Sequence, residues 1–259
     1  LTFLNENSDT LLIGYFLGDF CLGYYAIAYR VFQVLTQLLV KTITQVTFPA
    51  LSRLQNESQR LLSAFYQIVQ HANLATIPVF LMVVLLSQEL VLVVFGEQWL
   101  PSSSAMQVLT CSGIVYSVMT FNKSLLIATG QPLWQLKLEA LNVVFNIASC
   151  LFAVRWGILA VAYAYAVSDL LVVPISLWVL KLTVCLSLEE YLKRFLSPFS
   201  CAVAMVITIG VTKYYLSVEL SSYLVLISCT LIGVVSYVSC LLCLDPGLFK
   251  TALKVIKLR

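Results

Sequence analysis

Long apolar segments follow one another along almost the whole chain, and this pattern constrains the fold more than any other feature. About 20 apolar residues cross a bilayer as a helix, and the polar and Pro/Gly breaks leave eight candidate spans. They are residues 5–18, 21–52, 66–87, 104–128, 133–153, 157–181, 197–215 and 221–244. The chain is 61% hydrophobic and 10% charged, whereas soluble domains are about 45–50% apolar and 25% charged. We therefore predict an all-α, polytopic transmembrane helical bundle of about eight spanning helices.

Two amphipathic segments lie between these spans. They are SQRLLSAFYQIVQHA, which begins at Ser58, and LSLEEYLKRF at residues 186–195. Partly charged amphipathic stretches are typical of helices that lie in the membrane interface, and we predict two interfacial helices here. The first span is short and the chain begins almost inside it, so we expect the sequence to belong to a longer protein.

The distribution of basic residues predicts the orientation of the chain. Nine of the fifteen Lys and Arg residues fall on one side of the predicted spans and two fall on the other. The nine are Arg53, Arg60, Lys181, Lys193, Arg194, Lys250, Lys254, Lys257 and Arg259. Because short cytoplasmic loops carry the excess of positive residues, both chain ends are predicted to face the cytoplasm. The loop LSQELVLVVFGEQWLPSSS at residues 86–104 is then predicted to face outward.

Arg30 interrupts the apolar segment CLGYYAIAYRVFQVLTQLLVK. A rise of 1.5 Å per residue places it about 13 Å from Cys21, close to mid-membrane, where an uncompensated guanidinium costs at least about 2.5–3.5 kcal/mol. On a regular helix it belongs to one polar stripe. The stripe contains Arg30, Gln33, Gln37, Lys41 and Thr44. The alternative for Lys41 is an end residue whose ammonium reaches the interface.

A second polar stripe follows the span 133–153. Its members recur at spacings of three and four: Gln135, Glu139, Asn142, Asn146 and Ser149. A weaker stripe of Ser112, Tyr116, Thr120 and Lys123 follows the span 104–128, and Lys123 could equally reach the interface. Two polar-faced helices indicate a water-filled cavity, although the amides could also join helices by hydrogen bonds. Arg binds phosphate oxygens bidentately, and amides match sugar hydroxyls, so the pattern favours an anionic headgroup that carries sugars.

Two carboxylates stand alone in apolar segments, Asp9 and Asp169. A buried carboxylate can carry a proton or bind Na⁺ during transport. Asp169 is the better candidate because it lies about 18 Å from the outer end of its span. The alternatives are a helix cap at Asp9 and an interhelical hydrogen bond at Asp169.

The sequence contains no motif of covalent chemistry. Carboxylate pairs, nucleophile triads, Walker loops and metal-ligand clusters are absent from it, so we expect no enzyme activity, no cofactor and no nucleic-acid partner. The pair Cys240 and Cys243 lies in an apolar run, which favours helix packing over redox chemistry. A membrane polysaccharide polymerase or ligase would be expected to carry Arg or His in a large outer loop, and the longest outer loop has neither.

Several segments resemble the Wzx and WzxC type polysaccharide flippases of the multidrug/oligosaccharidyl-lipid/polysaccharide exporter superfamily. They are DTLLIGYFLGDFCLGYYAIAYRV, FPALSRLQ, FGEQWLPS, ATGQP and WGILAVAYAYAVSDLLVVP. The resemblance implies two six-helix bundles around a central cavity. Residues 1–182 would form the second bundle, with its first helix truncated. Residues 183–259 would form an interfacial helix, two additional transmembrane helices and a basic cytoplasmic tail.

The resemblance also implies what the protein does. Such proteins move polyprenyl-pyrophosphate-linked oligosaccharide repeat units across the bacterial inner membrane for lipopolysaccharide, capsule or exopolysaccharide assembly. Arg30 is expected to bind the pyrophosphate. The expected substrate-binding residues are Arg30, Gln33, Gln37, Lys41, Lys123, Glu139, Asn142 and Asn146. Membrane lipid, a missing amino-terminal bundle, and a polysaccharide polymerase with its chain-length machinery are the expected partners. A truncated remnant that does not transport, or an assembly partner, is the alternative.

Overall fold

The computed structural model describes residues 2–216 and 221–244, and within these ranges the regular structure is helical. The first half contains α1 (Thr2–Leu17), α2 (Asp19–Leu35), α3 (Thr42–Arg53), α4 (Ser58–Leu85) and α5 (Ser87–Val94). The second half contains α6 (Ser102–Ala128), α7 (Pro132–Ala153), α8 (Ile158–Val184), α9 (Leu188–Leu216) and α10 (Ser222–Leu244). The predicted all-α bundle is therefore confirmed.

Seven helical runs in the described part of the chain are long and apolar enough to cross a membrane. They match seven of the eight predicted spans, and the longest is the continuous run Asp19–Arg53. The remaining prediction, residues 5–18, corresponds to α1, which has 16 residues. This chain is thus a multi-pass helical membrane protein.

The two predicted interfacial helices are wrong as separate elements, because each forms the first turns of a longer helix. Residues 58–72 begin α4 and residues 188–195 begin α9. Their apolar faces pack inside the bundle: Phe65 and Tyr191 are fully or almost fully buried and their rings stack with centroids 6.0 Å apart. An amphipathic face can be covered by lipid or by protein, and here protein covers the part that carries Phe65 and Tyr191.

The predicted outer loop at 86–104 also contains regular structure, since α5 begins at Ser87. Glu89 on α5 is buried and pairs with Lys213 on α9, with the ammonium 3.0 Å from the carboxylate. The same ammonium donates to the Leu85 carbonyl oxygen over 2.9 Å. The ion pair compensates the burial of both charges and joins α9 to α5, and the bond to the carbonyl oxygen joins α9 to the end of α4.

A π-helical segment, Thr36–Lys41, separates α2 from α3 within one continuous helical run. The Thr42 amide and hydroxyl both donate to the Gln37 carbonyl oxygen, five residues back. Because a π-helix bonds i to i+5, an extra residue enters the turn and rotates everything beyond it by about 100°. The single stripe from Arg30 to Thr44, predicted for a regular α-helix, is therefore divided at this segment.

Short connections hold α6, α7 and α8 side by side. The turn after α6 uses Gly130 at φ 74°, a left-handed conformation that favours glycine. Pro132 then occupies the first turn of α7, where its missing amide costs nothing. Like Gly130, Gly157 has a positive φ, 93°, in the turn before α8. These turns make α6 and α7 antiparallel neighbours and bring α8 against both.

The last two helices pack on each other and on α4. A buried apolar cluster joins Met205 and Ile209 of α9 to Cys229 of α10 and Ile77 of α4. The Tyr237 hydroxyl of α10 donates to the Leu74 carbonyl oxygen over 3.0 Å. The division of the chain at residue 182 stays a prediction, and the basic tail beyond Leu244 lies outside the described residues.

Candidate substrate-binding site

A cavity of about 440 Å³ lies between α3, α6, α7 and α8. Its lining combines cations, carboxylates, amides, hydroxyls and aromatic rings. The lining residues are Lys41, Thr44, Gln45, Phe48, Tyr116, Met119, Thr120, Lys123, Ser124, Ile127, Gln135, Leu138, Glu139, Asn142, Tyr165 and Asp169. Members of all three predicted stripes meet here. Lys41 and Thr44 come from the stripe that begins at Arg30, Thr120 and Lys123 come from α6, and Gln135, Glu139 and Asn142 come from α7. Of the weaker stripe on α6, Tyr116, Thr120 and Lys123 thus belong to this surface and Ser112 does not.

Lys123 and Glu139 form an ion pair across the cavity wall, with Nζ 3.0 Å from Oε2. The Lys123 side chain is 37% exposed and that of Glu139 is 17% exposed. Lys123 lies one and a half turns before the end of α6, and Glu139 lies two turns into α7. The tight turn at Gly130 therefore places the two charges opposite each other. The pair keeps a cation at the cavity without leaving it uncompensated.

Asn142 and Asp169 join α7 to α8 on the same wall. The Asn142 amide donates to Asp169 Oδ1 over 2.9 Å. Asp169 is 4% exposed, and within the described part of the chain its Oδ2 and the Asn142 Oδ1 have no hydrogen-bond partner. A buried carboxylate with one unsatisfied oxygen is costly unless a proton, a cation or water supplies a partner. The predicted interhelical hydrogen bond of Asp169 is therefore present, and it uses only one oxygen.

Other predicted site residues lie away from this cavity. Arg30 and Gln37 are exposed and Gln33 is half-buried, and none of the three is part of the lining. Asn146 is 1% exposed, and its Oδ1 accepts the Cys150 thiol hydrogen over 3.2 Å. The π segment explains why Arg30 and Gln33 lie away from the cavity. It rotates the helix so that Lys41 and Thr44 face α6, whereas the residues that precede the segment do not. The proposed roles of Arg30, Gln33, Gln37 and Asn146 stay predictions.

Asp9 lies in a different environment from Asp169. It is fully buried, and its two oxygens accept hydrogen bonds from the Tyr25 hydroxyl and from the Thr10 amide, the latter over 2.9 Å. The contact with Tyr25 joins α1 to α2. Asp9 is therefore held by protein donors, whereas Asp169 presents an unsatisfied oxygen at a cavity.

Sequence reasoning did not select seven of the sixteen lining residues, and Gln45 and Tyr165 are two of them. Tyr165 is 2% exposed and packs edge-on against Phe32, with ring centroids 6.0 Å apart. It precedes Asp169 by four residues, so the helical period could have placed both on one face of α8. Gln45 lies beyond the π segment, and no sequence signal marks that change of face.

The arrangement can hold a polar, negatively charged molecule. Lys41 and Lys123 supply cations for an anionic group, and charge-assisted hydrogen bonds to phosphate are the stronger ones. Glu139 and Asp169 place two carboxylates in the same lining, so an anion has to compete with Glu139 for Lys123. Gln45, Gln135 and Asn142 supply amide donors and acceptors for hydroxyl groups. Phe48, Met119 and Ile127 give the cavity an apolar part as well. The site thus suits a ligand with an anionic group, hydroxyls and an apolar portion.

The fold is that of a known lipid transporter. The solved structure of the lipid II flippase MurJ in an inward closed conformation matches with a TM-score of 0.79 at 16% sequence identity. The match covers 96% of this chain and 53% of that chain. Together with the seven spanning helices, it defines the class: a polytopic helical membrane protein whose fold is similar to about half of that solved structure.

Sequence comparisons show which membrane proteins this chain is similar to. The family described as "Polysaccharide biosynthesis protein" matches residues 1–104. The teichuronic acid biosynthesis protein TuaB of Bacillus subtilis (strain 168) is 29% identical over 81% of this chain and 44% of its own length. The lipopolysaccharide biosynthesis protein WzxC of Escherichia coli (strain K12) is 33% identical over 49% of this chain and 26% of its own length. The resemblance to Wzx-type polysaccharide flippases is therefore confirmed, and the chain spans less than half the length of these curated relatives.

Proposed function

We propose that this chain forms part of a flippase for lipid-linked oligosaccharides. The substrate would be polyprenyl-pyrophosphate-linked repeat units, moved across the bacterial inner membrane for lipopolysaccharide, capsule or exopolysaccharide biosynthesis. The observation that carries the proposal is the cavity between α3, α6, α7 and α8, where Lys41 and Lys123 lie beside amides and hydroxyls. Pyrophosphate pairs with the cations, and the sugar hydroxyls pair with the amides.

The transport step needs no covalent chemistry. Alternating access in such transporters moves one bundle against another around a fixed site. We propose that the helices described above form one wall of the central cavity and that an amino-terminal six-helix bundle forms the other. The share of each relative that the chain covers supports this division. The wall described here would hold the headgroup while the opposite wall opens to one side or the other.

The proposed orientation places both chain ends in the cytoplasm. It is supported by the excess of Lys and Arg on one side of the spans. Single cysteines placed at Ser58 and Gln98, both exposed, should then differ in how accessible they are from outside an intact cell. A membrane-impermeant thiol reagent should label the cysteine at Gln98 and not the one at Ser58. The reverse labelling would overturn the orientation.

The direct test of the proposed function uses the full-length protein in proteoliposomes. A polyprenyl-pyrophosphate-linked oligosaccharide placed in both leaflets would be monitored by its accessibility to an added glycosidase that cannot cross the bilayer. Flipping brings the inner-leaflet fraction to the enzyme, so complete digestion is expected with protein. Digestion that stops at the outer-leaflet fraction, as in protein-free liposomes, would contradict the proposal.

A further inference from the structure

A second cavity, of about 650 Å³, lies apart from the first, between the first turns of α9, the middle of α4 and the last residue described in α10. It is lined by Gln70, Glu190, Lys193, Arg194, Ser197 and Ser200, together with two leucines. None of these residues lines the cavity between α3, α6, α7 and α8. The proposed transport of a lipid-linked oligosaccharide does not use them.

Arg194 brings a positive charge into this second cavity without a carboxylate partner. Its Nη1 donates to Oε1 of Gln70 over 3.0 Å, and Gln70 is 7% exposed. This partner is a neutral amide, and in the described ranges no carboxylate lies within ion-pair distance of Arg194. A guanidinium has five N–H donors in a planar fork, so several remain for an anion.

Ser197 contributes a second unsatisfied group one turn further along α9. Its hydroxyl oxygen is buried and has no hydrogen-bond partner among the residues described. A buried hydroxyl without a partner costs free energy that a ligand oxygen would recover. Guanidinium and hydroxyl groups at one cavity are suited to the oxygens of a phosphate group.

The charges around the cavity fit a single negative charge. Lys193 adds a second cation, although it also bonds Glu189 Oε1 over 2.6 Å, and Glu190 adds one negative charge. When Glu189 is counted, two carboxylates balance the two cations, and Arg194 is the cation of this group that pairs with no carboxylate in the described ranges. The single negative charge of a phosphodiester matches this one guanidinium.

An apolar stripe on α9 leads away from the cavity. Leu196, Phe199, Val203 and Ile207 are all exposed, and their spacings of three and four put them on one face of the helix. The cavity therefore lies where the charged first turns of a spanning helix meet its apolar outer surface. In a lipid molecule, the phosphate and the acyl chains have this same order. This continuity favours a lipid over a free phosphate ion.

We propose that this second cavity binds the phosphate of an anionic glycerophospholipid, with an acyl chain along the stripe of α9. Basic pockets between transmembrane helices bind lipid head groups in this way. Arg194 and Ser197 hold the phosphate, Lys193 adds attraction for the anionic head group, and Glu190 limits it. The bound lipid joins α4 to α9 at the membrane surface where α9 begins.

The test uses the full-length protein in a neutral detergent, with thermal unfolding followed during titration with short-chain phosphatidylglycerol. We expect phosphatidylglycerol to raise Tm in a saturable manner. Phosphatidylcholine should bind about tenfold more weakly, and inorganic phosphate at the same concentration should leave Tm unchanged. Equal effects of the two lipids would overturn the preference for an anionic lipid. An equal effect of inorganic phosphate would overturn the lipid as ligand.

Variants of the lining distinguish this site from general affinity for anionic lipid. Lys193→Gln and Ser197→Ala should weaken phosphatidylglycerol binding about three- to tenfold, and Glu190→Gln should strengthen it. Arg60→Gln is the matched control, because Arg60 is an exposed cation on α4 that pairs with Glu57, and its affinity should equal that of wild type. Arg194→Gln should give the largest loss, but it also alters the contact with Gln70. Wild-type affinity in both Lys193→Gln and Ser197→Ala would overturn the proposal.

Discussion

Lys123 on α6 and Glu139 on α7 meet across one cavity wall, with Nζ and Oε2 3.0 Å apart. This pair supplies the first prediction. Both side chains keep some exposure, so their coupling should be below about 1 kcal/mol. In a double-mutant cycle of Lys123→Gln and Glu139→Gln, the measured quantity is the free energy of unfolding in detergent. The charge-swapped protein, Lys123→Glu with Glu139→Lys, should recover most of the stability. A swapped protein no more stable than either single charge reversal would show that the pair contributes nothing.

The second prediction concerns the contact between Gly113 of α6 and Phe80 of α4. A Cβ atom at Gly113 would overlap the ring of Phe80, which is fully buried and cannot move away. Gly113→Ala should therefore destabilise the protein by about 1–3 kcal/mol. Gly210 lies on the open face of α9 with nothing near its Cβ position, so Gly210→Ala should stabilise the helix by about 0.5–1 kcal/mol. Thermal unfolding of the two variants should shift in opposite directions. Equal shifts would show that helix propensity, and not packing against Phe80, determines both.

The third prediction concerns which helix faces meet water. Single cysteines at Gln45 and Asn142, which line the cavity, should react with a small hydrophilic thiol reagent in a protein whose native cysteines are replaced. Cysteines at Val143, which is buried, and at Val144, which is 62% exposed on an apolar face, should not react. Labelling is quantified by mass shift. If the cysteine at position 144 reacts as fast as the cysteine at position 142, the outer face of α7 contacts water and not lipid.

The sequence predicts the positions of the spans well, because a spanning helix must be apolar over its whole length. It predicts less well what covers an amphipathic face. The sequence pattern around Phe65 and Tyr191 is the same for an interfacial helix as for a helix in a bundle interior. Only tertiary packing distinguishes the two cases.

The candidate site shows a similar limit. Glu139 and Asn142 follow a regular helix, and both line the cavity from one face of α7. The relation of Arg30 to Lys41 depends on the π segment, whose residues Thr36–Lys41 carry no glycine or proline to mark it. A period of 3.6 residues cannot describe a helix that contains one wider turn.

The fourth prediction concerns energy coupling and rests on the proposed function. Asp169 presents an unpartnered oxygen at the cavity, whereas both oxygens of Asp9 accept protein hydrogen bonds. We expect Asp169→Asn to abolish the stimulation of flipping by an imposed pH or Na⁺ gradient, because an amide can neither release a proton nor bind Na⁺ by charge. Asp9→Asn should retain the stimulation. The measurement is the flipping rate of the full-length protein in vesicles with and without the gradient. Stimulation that survives in Asp169→Asn would remove this residue from the coupling step.

The central claim is that the cavity between α3, α6, α7 and α8 holds the pyrophosphate of a lipid-linked oligosaccharide through Lys41 and Lys123. It is tested most directly by polymer export in cells whose full-length protein carries both Lys41→Gln and Lys123→Gln. Each charge-assisted hydrogen bond is worth about 1.5–3 kcal/mol, so export should fall at least tenfold. The amount of protein in the membrane should equal that of an Arg60→Gln control, which should export normally. Export at the wild-type level by the double variant would contradict the claim.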